Sequence, residues 1–225
     1  MHTQRTLLIA TAAFALVATV GASFAYVAGR GFAGDAKVAH LHLTSDAVPA
    51  GARVATFAAG CFWCTESDFD KVDGVLSTTS GFIGGTTENP TYKSVTGGNT
   101  GHVEAVRIVY DPKKVSYKKL LSVYWRNVDF LDNGGQFCDR GSSYAPAIFT
   151  HSAQQLAAAR SSKKTIQTKF DKPVVVPIRE ATRFTAAEAY HQNFYKKNPF
   201  HYYRYRVGCG RDARLKALWR GKPKS

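Results

Sequence analysis

The sequence predicts a single domain of the α/β class, on three observations. Its 225 residues, 44% apolar and 12% aromatic, suffice for one well-buried core and are too few for two comfortable ones. Short apolar runs of strand character alternate with stretches of helical spacing. Glycine, proline and asparagine clusters punctuate the chain between them, and no internal repeat is visible.

Leu7 to Ala28 holds no charged residue, with His2 and Arg5 before it and Arg30 behind it. It reads in two ways: an export signal cleaved after Ala25, within Ala22-Ser23-Phe24-Ala25, or one anchor long enough for a bilayer of about 30 Å. Both readings give residues 1–28 a targeting role and place the remainder outside the cytoplasm, periplasmic or membrane-anchored, where disulfides survive. Residues 29–50, with Gly29, Gly31, Gly34 and Pro49, read as a linker, 51–220 as the domain and 221–225 as a basic tail.

Arg53 to Ala59 is the first strand, Gly60 allows a tight turn, and Phe62 to Lys71 has helical spacing with Phe62 and Phe69 on one face. Val75 to Ile83 is the second strand, ended by Gly84-Gly85. The loop beyond it, through Asn89-Pro90-Thr91-Tyr92 and Gly97 to Gly101, has the length of a binding loop. His102 to Tyr110 is the third strand, stopped by Asp111-Pro112, and its alternation sets Glu104 on one face with Val106 and Ile108. Ser116 caps a helix whose Tyr117, Leu120, Leu121, Tyr124 and Trp125 face the core. The loop Asn133 to Gly141 leads to a short strand at Ala147 to Thr150. Ser152 with Gln155, and Thr185 with Glu188, fit the capping-box pattern and open two further helices, the second ended by Asn198-Pro199. Pro173 to Ile178 is an edge strand, because neither proline can donate to a ladder. From Phe200 the chain is a tyrosine- and arginine-rich tail holding Cys209 between Gly208 and Gly210, followed by a short helix at Asp212 to Trp219.

Gly60-Cys61-Phe62-Trp63-Cys64 carries the most chemistry. It sets a thiol beside two large rings at a helix N-terminus, where unpaired N–H groups favour an anion and lower a thiol from about 8.5 into the range of roughly 3.5 to 7.5. Glu66, Asp68 and Asp70 oppose that shift. Burial of the Glu104 face would raise its carboxyl pKa and keep a proton available for donation.

Cys61, Cys64, Cys138 and Cys209 would also suit two structural disulfides in an exported protein. Zinc is disfavoured, since only Cys61 and Cys64 have C-x-x-C spacing and no second pair completes a site. The formal charge of +14 suits a solvated basic surface facing an anionic membrane or wall, because no helix-turn-helix or zinc-finger signature accompanies it and nucleic acid is not expected. A thiolate beside aromatic rings, with Tyr92, Glu104, Asp139 and Tyr144 as proton donors, suits a sulfoxide. Its sulfur is electrophilic, its oxygen must be protonated, and its methyl group fits an indole face.

Gly60-Cys61-Phe62-Trp63, Pro90-Thr91-Tyr92, Thr100 to Glu104, Val109 to Pro112, Asp139-x-Gly-x-x-Tyr144, Tyr190-His191-Gln192 and Cys209 to Asp212, in this order, resemble peptide-methionine (S)-S-oxide reductase, the A-type enzyme, over residues 53 to 219. The resemblance implies an α/β (α+β) fold with a two-layer mixed-sheet core related to the ferredoxin-like arrangement rather than a doubly wound sheet. It implies that Cys61 attacks the sulfoxide sulfur, that Phe62 and Trp63 hold the methyl, that Glu104 protonates the oxygen, and that Tyr92, Tyr144 and Asp139 bind the oxygen or position Glu104. The S epimer of methionine sulfoxide, free or in proteins, is the implied substrate, with no cofactor or metal and a thioredoxin-type dithiol as external reductant. A monomer that repairs exported proteins is expected. Cys61 becomes a sulfenic acid that a second cysteine closes to a disulfide. Three departures stand out: Cys64 replaces a small residue, Cys138 an asparagine, and Ala145-Pro146 an Arg-Ser pair. The resolving cysteine is Cys209, on a tail able to swing to Cys61, or Cys64 on the same helix, with Cys138 as a shuttle. Two rival readings are a general C-x-x-C thiol–disulfide oxidoreductase and a non-catalytic, disulfide-stapled module for anionic surfaces.

Overall fold

The computed structural model describes residues 48–222. The targeting segment, nearly all of the linker and the end of the tail lie outside the described residues. Six strands form one sheet: β1 (Arg53–Ala58), β2 (Val75–Ile83), β3 (Val103–Tyr110), β6 (Ala147–Thr150), β7 (Ile178–Glu180) and β8 (Thr185–Ala186), in the order β7-β6-β1-β3-β2-β8. Two further strands, β4 (Gly135–Gln136) and β5 (Asp139–Arg140), make a separate two-residue ladder. The helices are α1 (Phe62–Phe69), α2 (Tyr92–Thr96), α3 (Tyr117–Asn127), α4 (Ala153–Gln167), α5 (Phe194–Lys197), α6 (Pro199–Gly208) and α7 (Arg211–Leu218).

The inner four strands run β6-β1-β3-β2, all antiparallel, with α1 between β1 and β2 and α3 between β3 and β6. That is the split β-α-β arrangement of ferredoxin-like folds. A parallel β6–β7 pair at one edge makes the sheet mixed. β3 is buried on both faces because two clusters compete for its alternate side chains. Val106, Ile108 and Tyr110 join Phe57, Phe69, Leu120 and Tyr124 under the helices, while Val103 and Ala105 join Ile83 and Phe149 on the other face. Glu104 belongs to the first set by alternation, so its carboxyl sits where hydrocarbon would be expected. On the helical face Phe57 stacks between Phe69 and Tyr124, at 5.2 and 5.0 Å between centroids.

Four expectations change. Thr185 opens no helix: Thr185 and Ala186 pair with Phe82 and Gly81 as an edge strand, and the Glu188 carboxylate accepts the Tyr92 N–H instead of closing a capping box. The ladder at the other edge starts only at Ile178, since Pro173 and Pro177 have no N–H to give. Gln155 accepts from His151 N–H rather than from its own cap residue, although Ser152 does cap α4. Finally, Pro199 does not only end α5. It occupies the first turn of α6, where a missing N–H costs nothing, and the expected loose tail is a ten-residue helix.

Candidate active site

The turn from β1 into α1 fixes the Cys61 thiol. Gly60 takes φ +79°, and a Cβ there would stand 2.5 Å from Gln136 Cβ, so only glycine fits. The turn's carbonyls are tied down from two directions: Tyr124 Oη donates to Ala58 O at 3.0 Å, and Arg211 Nη1 donates to Ala59 O at 3.1 Å. Cys61 occupies the N-cap position without capping through its side chain. The group at the head of this helix is instead the Glu104 carboxyl, whose Oε2 accepts the Phe62 N–H at 2.9 Å.

Burial decides the charges. Cys61 is 6% exposed and Glu104 2%. Burial pushes the Cys61 thiol well above its ordinary range, and the neighbouring Cys64 and Glu104 add to the effect, with a Tyr205 hydrogen bond opposing it. Burial likewise pushes Glu104 up to about 8, against the Phe62 N–H that favours its ionised form. Cys64 moves the other way. A hydrogen bond from Cys61 lowers it first, and Arg211 and Arg206 lower it further against the burial that raises it. The sequence reading put the thiolate on Cys61 through the helix N-terminus, but Glu104 occupies that site, and the surroundings favour the thiol at Cys61 and the thiolate at Cys64. The acids of α1 are separately neutralised. Glu66 is raised to about 8 by burial, Asp70 is bonded to Thr78, Tyr195 and Lys196, and Asp68 is bonded to Arg206.

The tyrosines and Asp139 assemble around this pair. Tyr144, in a 3₁₀ turn at Ser142–Tyr144, hydrogen-bonds Tyr92, and both hydroxyls are raised by burial and then by the Glu104 charge. Thr91 starts α2 with a capping box, which orients Tyr92. Asp139 is raised by burial, accepts a hydrogen bond from Tyr205 Oη, and its charge reaches Glu104. Phe62 is fully buried among Phe82, Tyr92 and His191. Trp63 is half-buried: it stacks on Phe194 at 3.7 Å, meets Tyr205 edge-on and donates to His191 Nδ1 at 3.0 Å. His102 is structural, bridging Gly85 N–H and Thr87 O across the long loop.

The expected resolving arm is found in a disulfide and at a helix end. Cys209 is bonded to Cys138, with 4.9 Å between Cα atoms, and it caps the C-terminus of α6 instead of riding a free tail. Cys61 and Cys64 are the free cysteines, both buried. Sequence reasoning missed Tyr205 and Arg211. Tyr205 touches both Cys61 and Asp139, and the signal for it was Pro199, which as a first-turn residue puts Tyr202, Tyr205 and Arg206 on one helical face. A cavity of about 690 Å³ lined by Lys71, Lys113, Lys114 and Lys119 lies beyond the far end of α1, away from the thiols.

Two free buried cysteines, one pushed up and one drawn down, beside a buried carboxyl raised to about 8 define a thiol-dependent oxidoreductase. The family described as peptide methionine sulfoxide reductase matches residues 53–223, and the chain belongs to that family. It is 50% identical over 171 residues to peptide methionine sulfoxide reductase MsrA of Bacillus velezensis, covering 75% of this chain and 97% of that protein. It is 48% identical over 190 residues to MsrA 2 of Caulobacter vibrioides, covering 83% and 95%. Among solved structures, reduced Mxr1 from Saccharomyces cerevisiae aligns with TM-score 0.64 at 30% identity, over 68% of this chain and 88% of that one. Methionine sulfoxide reductase A of Corynebacterium diphtheriae aligns with TM-score 0.64 at 31% identity, over 67% and 76%.

Proposed function

We propose that this oxidoreductase reduces the S epimer of methionine sulfoxide, free or in exported proteins, through Cys61, with Cys64 as resolving cysteine and a thioredoxin-type dithiol as terminal reductant. The observation carrying this reading is the buried Glu104 carboxyl, protonated to about pH 8 and bonded to the first N–H of the helix that presents Cys61. Cys61 sulfur attacks the sulfoxide sulfur, and Glu104 gives its proton to the oxygen. The proton shed by Cys61 restores Glu104, and methionine leaves a sulfenic acid on Cys61. Tyr92 and Tyr144 donate to the oxygen, Asp139 aligns them through its field, and Trp63 with Phe62 borders the methyl. Cys64 then closes a disulfide with Cys61, and water departs. The external dithiol reduces that bond.

Export of the domain rests on Leu7 to Ala28, and among the described residues no helix is long and apolar enough to cross a membrane. Monomeric repair in the periplasm, or at its membrane, fits this reading. Turnover of a racemic dabsylated methionine sulfoxide tests the chemistry: half of the substrate disappears, all of it the S epimer, and Cys61→Ser abolishes the reaction. Consumption of both epimers, or activity without Cys61, overturns it. Periplasmic fractionation of the tagged full chain tests the location, where a cytoplasmic product would refute export.

A further inference from the structure

Arg211 is 1% exposed, which makes it the largest of the fully buried side chains. A guanidinium has five N–H donors and cannot shed its charge, so burying it requires strong partners. Arg211 has Ala59 O at 3.1 Å and Asn127 O at 2.5 Å, lies 4.5 Å from the Phe137 ring centroid, and leaves Nε without a hydrogen bond. Among the described residues its one carboxylate within ion-pair distance, Asp68, is 3.8 Å away and is held more closely by Arg206 at 2.9 Å. Asp68 follows Cys64 by four residues on α1, so the two share a helical face. The Arg211 charge favours the thiolate of Cys64, which adds to the compensation that Asp68 supplies only in part.

We infer that Arg211 is a positioning residue for disulfide closure: its buried guanidinium holds the Ala59 carbonyl of the turn carrying Cys61 and lies against the α1 face that bears Cys64 and Asp68, so that Cys64 attacks the oxidised Cys61. The inference rests on the reading of Cys64 as resolving cysteine. In that step the Cys64–Cys61 bond forms and the Cys61 S–O bond breaks. The electron pair leaves with oxygen, and a proton from the Glu104 carboxyl, later replaced from solvent, turns hydroxide into water. Cys64 is oxidised as the sulfenic sulfur is reduced. The groups that set the charge of Cys64 are Cys61 and Asp68 on α1, Glu104 on β3, Tyr202 and Arg206 on α6, and Arg211 on α7. The cations favour its thiolate directly, in the same direction as the Cys61 hydrogen bond.

The test uses the full chain, with its dabsylated sulfoxide, in single turnover. Methionine release, the sulfenic acid trapped by dimedone and the mass-mapped disulfide are followed separately, and thiolate is read by ultraviolet absorbance in the resting enzyme. In the wild type, one thiolate should persist well below the ordinary cysteine range of about 8.5. Arg211→Met should remove that signal at neutral pH and prolong the sulfenic acid at least tenfold while methionine release changes far less, and Arg211→Lys should restore most of the closure rate. Closure and thiolate signal both unchanged in Arg211→Met would overturn the inference. So would a wild-type thiolate that titrates near 8.5, a measurement that stands even if Arg211→Met does not fold. Cys64→Ser separates the premise: rapid intramolecular disulfide formation in that variant refutes Cys64 as resolving cysteine, whereas its stalling with normal Arg211 variants refutes only the role of Arg211.

Discussion

The two cysteine pairs of this protein are chemically alike and physically opposite. Cys61 and Cys64 are buried and free beneath α6, whereas Cys138 is exposed and joined to Cys209 where the β4–β5 loop meets the end of that helix. The inner pair is surrounded by groups that assign charge: Glu104 and burial against Cys61, Arg211 and Arg206 in favour of Cys64. The outer pair joins residues 71 apart in sequence and holds Asp139 near Tyr205. On the proposed mechanism, redox chemistry belongs to the inner pair and the surface pair acts as a brace.

The largest effect should come from the inner pair. Cys61→Ser should drop sulfoxide reduction below detection, while Cys64→Ser should release one methionine per enzyme and then stall with thioredoxin as reductant; steady cycling of Cys64→Ser would erase the distinction between the pairs. Next in size, Glu104→Gln should lower kcat by about 10²- to 10⁴-fold, the usual weight of a positioned general acid, with KM little changed. In the wild type the same group predicts a rate that falls as pH rises through about 8, since the carboxyl then loses the proton it donates.

The brace should behave differently. Joint replacement of Cys138 and Cys209 by serine should cost about 2–4 kcal/mol of stability, read by denaturant unfolding, while leaving turnover within about twofold. A stalled cycle in that double variant would instead give the outer pair a redox role. The smallest effect concerns Glu66, fully buried on α1 with a pKa raised from 4.5 to about 8. Its folded-state pKa exceeds the unfolded one, so its contribution is fully present below about 4.5 and is lost as pH rises to about 8. Glu66→Gln should flatten that part of the stability–pH curve, measured as Tm across the window, leaving the part that Glu104 contributes.

Most of the sheet was legible in the sequence because strand and helix periodicity act locally. β2 and β6 run as expected over Val75–Ile83 and Ala147–Thr150, and Ser116 caps α3 through the Lys119 N–H. Thr185-x-x-Glu188 misled because a capping-box pattern has no knowledge of Gly81. A Cβ at Gly81 would stand 2.4 Å from Thr185 O, so the β2 edge admits Thr185 as a strand partner. The tail misled for a related reason: Pro199 both ends one helix and starts another, and only packing over Trp63 tells which matters.

The sequence by itself determined the place of Cys61 at a helix start, its aromatic neighbours and the Glu104 face, because turn residues and the two-residue period of a strand are local properties. Tertiary structure alone decided which sulfur is favoured as thiolate and which cysteines are joined. A thiol's pKa depends on burial and on charges brought from α6 and α7, well over a hundred residues along the chain, and a disulfide depends on which Cα atoms the fold brings within reach.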